Sequence, residues 1–263
     1  MQVEAQNAVD AHRLARAERL NDYFELQLLF AERLADLASL SLPEAVARYT
    51  NFHKRFGLGA VEDGPPSETW LRYAEPLDRL GSTARRLAWT KAFFAGLPEE
   101  RPPTNRKSFG CFSSDPPDDA GVVRIHFLNK DAPDDPGPLS RAKMPDRRRE
   151  LMSMFAFIRQ AHPSAMQVRG GSWLYNLEAY RRLFPPEYGR SRTPMVGPRR
   201  LNGSSSWGQF LDRREAVKPD RRRAFLQNFV DLDAAAPWLA FPIQPLITNA
   251  PVALFYAFYE IGA

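Results

Sequence analysis

The sequence predicts an α+β protein, with a helical N-terminal region followed by a C-terminal domain of mixed strands and helices in α/β-like order. Three observations carry this. Up to residue 97 apolar side chains recur three and four positions apart. Between 98 and 117 the chain becomes rich in Pro, Ser, Asn and basic residues and loses periodicity. Beyond that stretch, short β-branched runs alternate with helical ones. The expected organisation is therefore a helical region at 1–97, a linker at 98–117 and a mixed domain at 118–263.

Leu20, Phe24 and Leu28 lie on one stripe widened by Tyr23, Phe30, Leu34 and Leu37, which predicts one long amphipathic helix. Ser41-Leu42-Pro43-Glu44 has the form of a capping box that opens a second helix through Val46, Tyr49, His53 and Phe56, with Gly57 placed as a left-handed end. After the turn-rich run at 62–66, helical spacing returns over 69–80 and 82–95, closed by Gly96. The run at 122–128 is β-branched and aromatic and reads as a strand, and 131–138 as a loop. Pro145-Asp146 opens a helix carrying Leu151, Met154, Phe155 and Ile158, which ends at His162-Pro163. A strand begins at 166–168, a short helix covers 178–184, and Pro185-Pro186 stops it. Lys218-Pro219-Asp220 starts a helix through Phe225, Phe229 and Leu232, and the tail reads as two apolar strands around Ala250-Pro251.

Hydrophobic residues at 44% and charged residues at 25% exclude global disorder, and 263 residues allow one large domain or two modest ones. The single cysteine, Cys111, excludes an internal disulfide and any metal site built from several thiolates. The four His show no metal-ligand spacing, so no metal site is expected; no cofactor signature is visible and nothing fixes the oligomeric state. No apolar leader begins the chain, so the expected compartment is the cytoplasm. The uncharged stretch at 234–259 is cut by Pro237, Pro242, Pro245 and Pro251, which favours buried strands over a membrane helix. A net charge of +5 points to anionic partners.

The strongest candidate site is Arg169-Gly170-Gly171-Ser172, between a strand and a helix: paired glycines allow close backbone approach, and Arg169 and Ser172 can donate to an oxyanion. Asn176 joins it as a further donor and Tyr175 as a second proton-transfer candidate; the alternative is a plain turn with Trp173 and Tyr175 packed beneath it. His126, inside an apolar strand with Arg124 two residues before it, is the candidate general base, against a buried histidine held by a backbone group. Arg141, Lys143, Arg147, Arg148 and Arg149 gather at a helix N-terminus, where a bound anion would relieve an unfavourable dipole; pairing with Asp146 and Glu150 would do the same. Cys111 has no base in its local sequence.

The order strand, helix, strand, short helix over roughly a quarter of the chain resembles part of the GNAT acyltransferase core. That family's R/Q-x-x-G-x-G/A loop has no counterpart, because Gly137-Pro138-Leu139-Ser140-Arg141 stands there. The expected function is an enzyme, leaning to a transferase, that moves a group to or from a small phosphorylated or acyl-carrier-type anion. The alternative is a basic nucleic-acid-binding or protein-interaction module without catalysis, using the 141–149 and 221–223 clusters.

Overall fold

The computed structural model describes residues 2–59, 66–98, 105–132, 134–197 and 201–262. The fold is α+β, helices first and a mixed six-stranded sheet with helices after them. It forms two compact units, one of Met1–Pro102 with Val196–Pro242, the other of Pro103–Met195 with Ile243–Ala263. The expected single boundary at 98–117 is therefore incomplete, because 196–242 folds with the helices. The cause is aromatic: the Phe30 ring packs within 6.2 Å of those of Tyr49, Trp207, Phe225, Phe229 and Phe241, so the helical core closes only with the later segment.

In the first unit, α1 (Gln2–Arg19) and α2 (Asn21–Ala38) replace the one long helix expected, with a break at Leu20. The capping box at α3 (Leu42–Tyr49) is present as read: the Glu44 amide donates to Ser41 Oγ, and the Ser41 amide to the Glu44 carboxylate at 3.1 Å. The helix does not run on to Phe56. It stops before α4 (Phe52–Arg55), because the buried Asn51 amide donates to the Gln27 side chain at 2.7 Å. Gly57, at φ 78°, ends that turn in the left-handed region. Next come α5 (Glu68–Ala74) and α6 (Thr83–Gly96), and the later segment adds the short helices Ser204–Trp207 and Pro219–Gln227.

The second unit is built on a sheet in the order β1-β2-β3-β4-β6-β5. Its strands are β1 (Lys107–Phe109), β2 (Phe112–Ser114), β3 (Val122–Phe127), β4 (Gln167–Ser172), β5 (Thr193–Pro194) and β6 (Leu246–Pro251). Only β3 and β4 run parallel, and α7 (Met144–Ala161) lies between them in the chain, as the longer connection of a parallel pair requires. The first two strands lie in the stretch expected to be linker, joined by Gly110 at φ 58°. Leu151, Met154, Phe155 and Ile158 of α7 bury one sheet face, carrying Phe112, Val123, Ile125 and Val168. The tail is one strand followed by the helix Val252–Phe258, not two strands: Phe255 and Tyr259, four apart, both stack on Phe155, a spacing that only a helix supplies. Pro185-Pro186 separates α8 (Glu178–Arg181) from α9 (Pro186–Arg190), with Pro186 inside the first turn of α9. Among the described residues no helix is long and apolar enough to cross a membrane.

Candidate functional site

A strand sends alternate side chains to opposite faces, so helices on one side of the sheet leave the other side to polar residues. The burial pattern follows this: Val123, Ile125, Val168 and Ala250 are buried, while Arg124, Arg169 and Asn249 are exposed. The register sets those three abreast, Arg124 opposite Arg169 across the parallel pair and Arg169 opposite Asn249 across the antiparallel one. On the same face, two residues along β3, stands His126, paired in register with Ser113 of β2. Arg169 and His126, both singled out from sequence, therefore share one open face.

Charge on this face is unevenly matched. Arg124 lies 4.0 Å from Asp118, at the limit of an ion pair. Arg169 makes no side-chain hydrogen bond or ion pair among the described residues. Neighbouring strands sit only ~4.8 Å apart, so two guanidinium side chains rise side by side with little carboxylate between them. Along the face, His126 Nε2 bonds Asp115 Oδ2 at 2.7 Å and Arg106 Nε donates to Asp115 Oδ1 at 2.9 Å. Partial burial pushes the Asp115 carboxyl up, but the hydrogen bonds and charges of His126 and Arg106 outweigh it and hold its pKa at about 2. Asp115 is therefore an acceptor at neutral pH. It accepts the Nε2 proton of His126, and in the neutral imidazole with that tautomer Nδ1 is the acceptor nitrogen.

The double-glycine corner is not a site of this kind, and here the expectation needs correction. Instead of turning, the chain continues through Gly170 and Gly171 as strand, Gly170 laddered to both β3 and β6 and Gly171 to β6. Gly170 faces the core, where a Cβ would overlap Tyr175 Oη and Tyr188 Oη and come within 2.8 Å of Tyr175 Cζ. Beside Gly171 the side chain of Met195 closes the space, 2.7 Å from where a Cβ would stand. Tyr175, expected to transfer protons, is buried; its hydroxyl lies 2.8 Å from that of Tyr188, and burial raises its pKa. Ser172 Oγ accepts from the Leu174 amide at 3.1 Å and so caps the 3-10 turn Trp173–Asn176. Asn176 donates to the carbonyls of Trp173 and Gln244, each at 2.9 Å. Gly170, Gly171, Ser172, Tyr175 and Asn176 thus build the strand and its exit, and Arg169 is the charged side chain that the motif places on the open face.

The basic run across the start of α7 is also largely committed. Arg147 is buried and pairs with Asp131 at 3.0 Å and Glu150 at 3.1 Å, Lys143 reaches Asp135 at 2.8 Å, and Arg149 pairs with Asp146. Arg148 lies over the Phe258 ring. Arg141 is exposed in the turn Arg141–Lys143, off the sheet. Cys111 is buried beneath Arg147, its sulfur accepting from that guanidinium and from the Lys130 amide. Burial raises its thiol pKa, and the amide and guanidinium pull it back only in part.

Sequence reasoning missed Ser113 and Asp115, because 98–117 reads as linker. A signal was present in the alternation Phe112, Ser113, Ser114, Asp115, which sends Phe112 and Ser114 inward and the other two outward. Among the described residues, no group of three or more His, Cys, Asp and Glu is placed to hold a metal ion. The chain matches no protein-family model, no curated protein and no solved structure.

Proposed function

We propose that the second unit binds a small anionic ligand, carrying a phosphate or carboxylate, on the open face of its sheet, as an enzyme that transfers a group to or from it. Arg124 and Arg169 receive the anion, the Asn249 amide stands beside them, and His126, oriented by Asp115, moves a proton. The observation that carries this reading is the registered pair of guanidinium residues, of which Arg169 has no acidic partner among the described residues. Like charges directly opposite on a sheet cost up to ~1 kcal/mol. A bound anion turns that repulsion into two charge-assisted hydrogen bonds. The 141–149 run does not favour a nucleic-acid surface, because Arg147 is buried and Lys143 and Arg149 are paired with carboxylates.

Titration calorimetry with inorganic phosphate tests the proposal. Arg169→Ala is expected to weaken phosphate at least about tenfold, corresponding to loss of one charge-assisted hydrogen bond, while the melting temperature stays within a degree or two. His126→Asn is expected to leave phosphate affinity within about twofold, since proton transfer and anion binding reside in different groups. Equal phosphate affinity in wild type and Arg169→Ala would overturn the proposal.

A further inference from the structure

We propose that Ser113 is a nucleophile served by His126 and Asp115, and that the substrate is an ester whose acyl part carries a carboxylate or phosphate; this rests on the anion-binding reading of the same face. Ser113 and His126 are directly opposed across β2 and β3. The backbone bonds Leu128 N to Cys111 O and Asp115 N to Arg124 O, both 2.9 Å, fix that register from either side. Opposed residues of an antiparallel pair hold their Cβ atoms about 5.5 Å apart, within the span that a hydroxyl and an imidazole bridge by side-chain rotation. Ser113 Oγ makes no hydrogen bond among the described residues and is partly exposed, so it is not committed elsewhere.

The base is already oriented. The Asp115 carboxylate, itself clamped by Arg106, takes the Nε2 proton of His126 and turns Nδ1 into the acceptor. Nucleophile, base and orienting carboxylate thus come from two neighbouring strands and the residue that follows one of them, a set of roles recognised by geometry and not by sequence order. In the proposed step Ser113 Oγ bonds to the acyl carbon as its proton passes to His126 Nδ1. The carbon–oxygen bond to the alcohol then breaks, and the departing oxygen takes that proton. Water attacks the acyl-serine by the same route, its proton again accepted by His126 and returned to Ser113. Arg169 and Arg124, on the same face, hold the anionic end of the acyl group.

A fluorophosphonate probe reads this without knowledge of the natural ester. Attack forms an oxygen–phosphorus bond at Ser113, breaks the phosphorus–fluorine bond, releases fluoride and leaves the proton on His126. Intact mass and peptide mapping of the full-length protein are expected to show one adduct, on Ser113. The adduct disappears in Ser113→Ala and forms about a hundredfold more slowly in His126→Asn, the usual scale of general-base assistance. Inorganic phosphate in excess slows labelling of the wild type but not of Arg169→Ala. No adduct, an adduct on another residue, or unchanged labelling in His126→Asn overturns the assignment. Phosphate binding that persists without any adduct removes Ser113 alone and leaves the anion site standing. A Ser113 adduct indifferent to phosphate supports the nucleophile and counts against the anion site.

Discussion

Replacing Gly170 with alanine isolates the strand's packed side from its open one. The added methyl would fall inside the surface of two tyrosine hydroxyls that are hydrogen-bonded to each other at 2.8 Å, in a part of the core where Tyr175 and Tyr188 are fully buried. Forcing a methyl into such a site costs ~1–3 kcal/mol, and separating the hydroxyl pair adds about 1 kcal/mol. Against this, alanine lowers the entropy of the unfolded chain and returns roughly 0.4–1 kcal/mol. The expected net loss is therefore about 1–3 kcal/mol, or roughly 4–12 °C in melting temperature if the second unit responds as a domain of about a hundred residues. Urea unfolding followed by tyrosine and tryptophan emission measures it, and Tyr175→Phe supplies the control. With the nearest oxygen gone, the same Gly170→Ala change should cost about 1 kcal/mol less than in the wild type, a coupling that a double-mutant cycle resolves. A cost below about 0.5 kcal/mol, or one that Tyr175→Phe does not reduce, would refute the packing argument. It would reopen the corner as a place where backbone amides face a ligand.

In the first unit, Glu215 receives Arg16 Nε at 2.8 Å and Arg55 Nη1 at 2.9 Å while its backbone sits at φ 63°. Burial raises its carboxyl pKa, but the two arginines prevail and hold it at about 2, against 4.5 for the free side chain. A depressed carboxylate contributes stability that is present above the unfolded value and is lost as the pH falls through 4.5 toward about 2. Glu215→Gln should therefore destabilise the unit by up to about 3 kcal/mol at pH 7, and the difference from wild type should shrink as acid is added; a constant difference between pH 7 and pH 3 would show that the ion pairs are not its source. Arg147→Met, which strands the half-buried carboxylates of Asp131 and Glu150 beside the buried site of the lost guanidinium, should cost up to about 3–5 kcal/mol, and most of that should return when both acids are also neutralised to Asn and Gln. If the triple variant is no more stable than Arg147→Met, the loss comes from packing and not from unpaired charge.

The parts legible in sequence were those whose information is local. The Ser41–Glu44 capping box, the Gly57 stop and the apolar stripe of α7 each follow from residues within a turn or two of one another, and each stands where expected. What was not legible depends on distant partners. The break at Asn51 is set by Gln27, on another helix. The return of 196–242 to the helical unit is set by rings that meet Phe30 from far along the chain. The hairpin of β1 and β2 hides in a Pro-rich stretch because strands of three residues carry too little alternation to stand out against a loop composition.

The run from Arg169 to Ser172 shows why a motif read as a unit separates in three dimensions. Four consecutive residues of a corner would converge on one point, and a strand instead divides them between two faces. Here β4 is held between β3 and β6, and its pleat sends Arg169 to the open face and Gly170 to the tyrosines. The absent side chain at 170 is what lets Tyr175 and Tyr188 press against the sheet. The guanidinium at 169 thus stands on a strand braced from below, not on a mobile turn. A rigid support is what an anion or reacting group requires of the residues that hold it. It follows that substitutions at 169 and 170 should separate cleanly. The first should change affinity with little effect on stability, and the second should change stability first, although the two residues share a peptide bond.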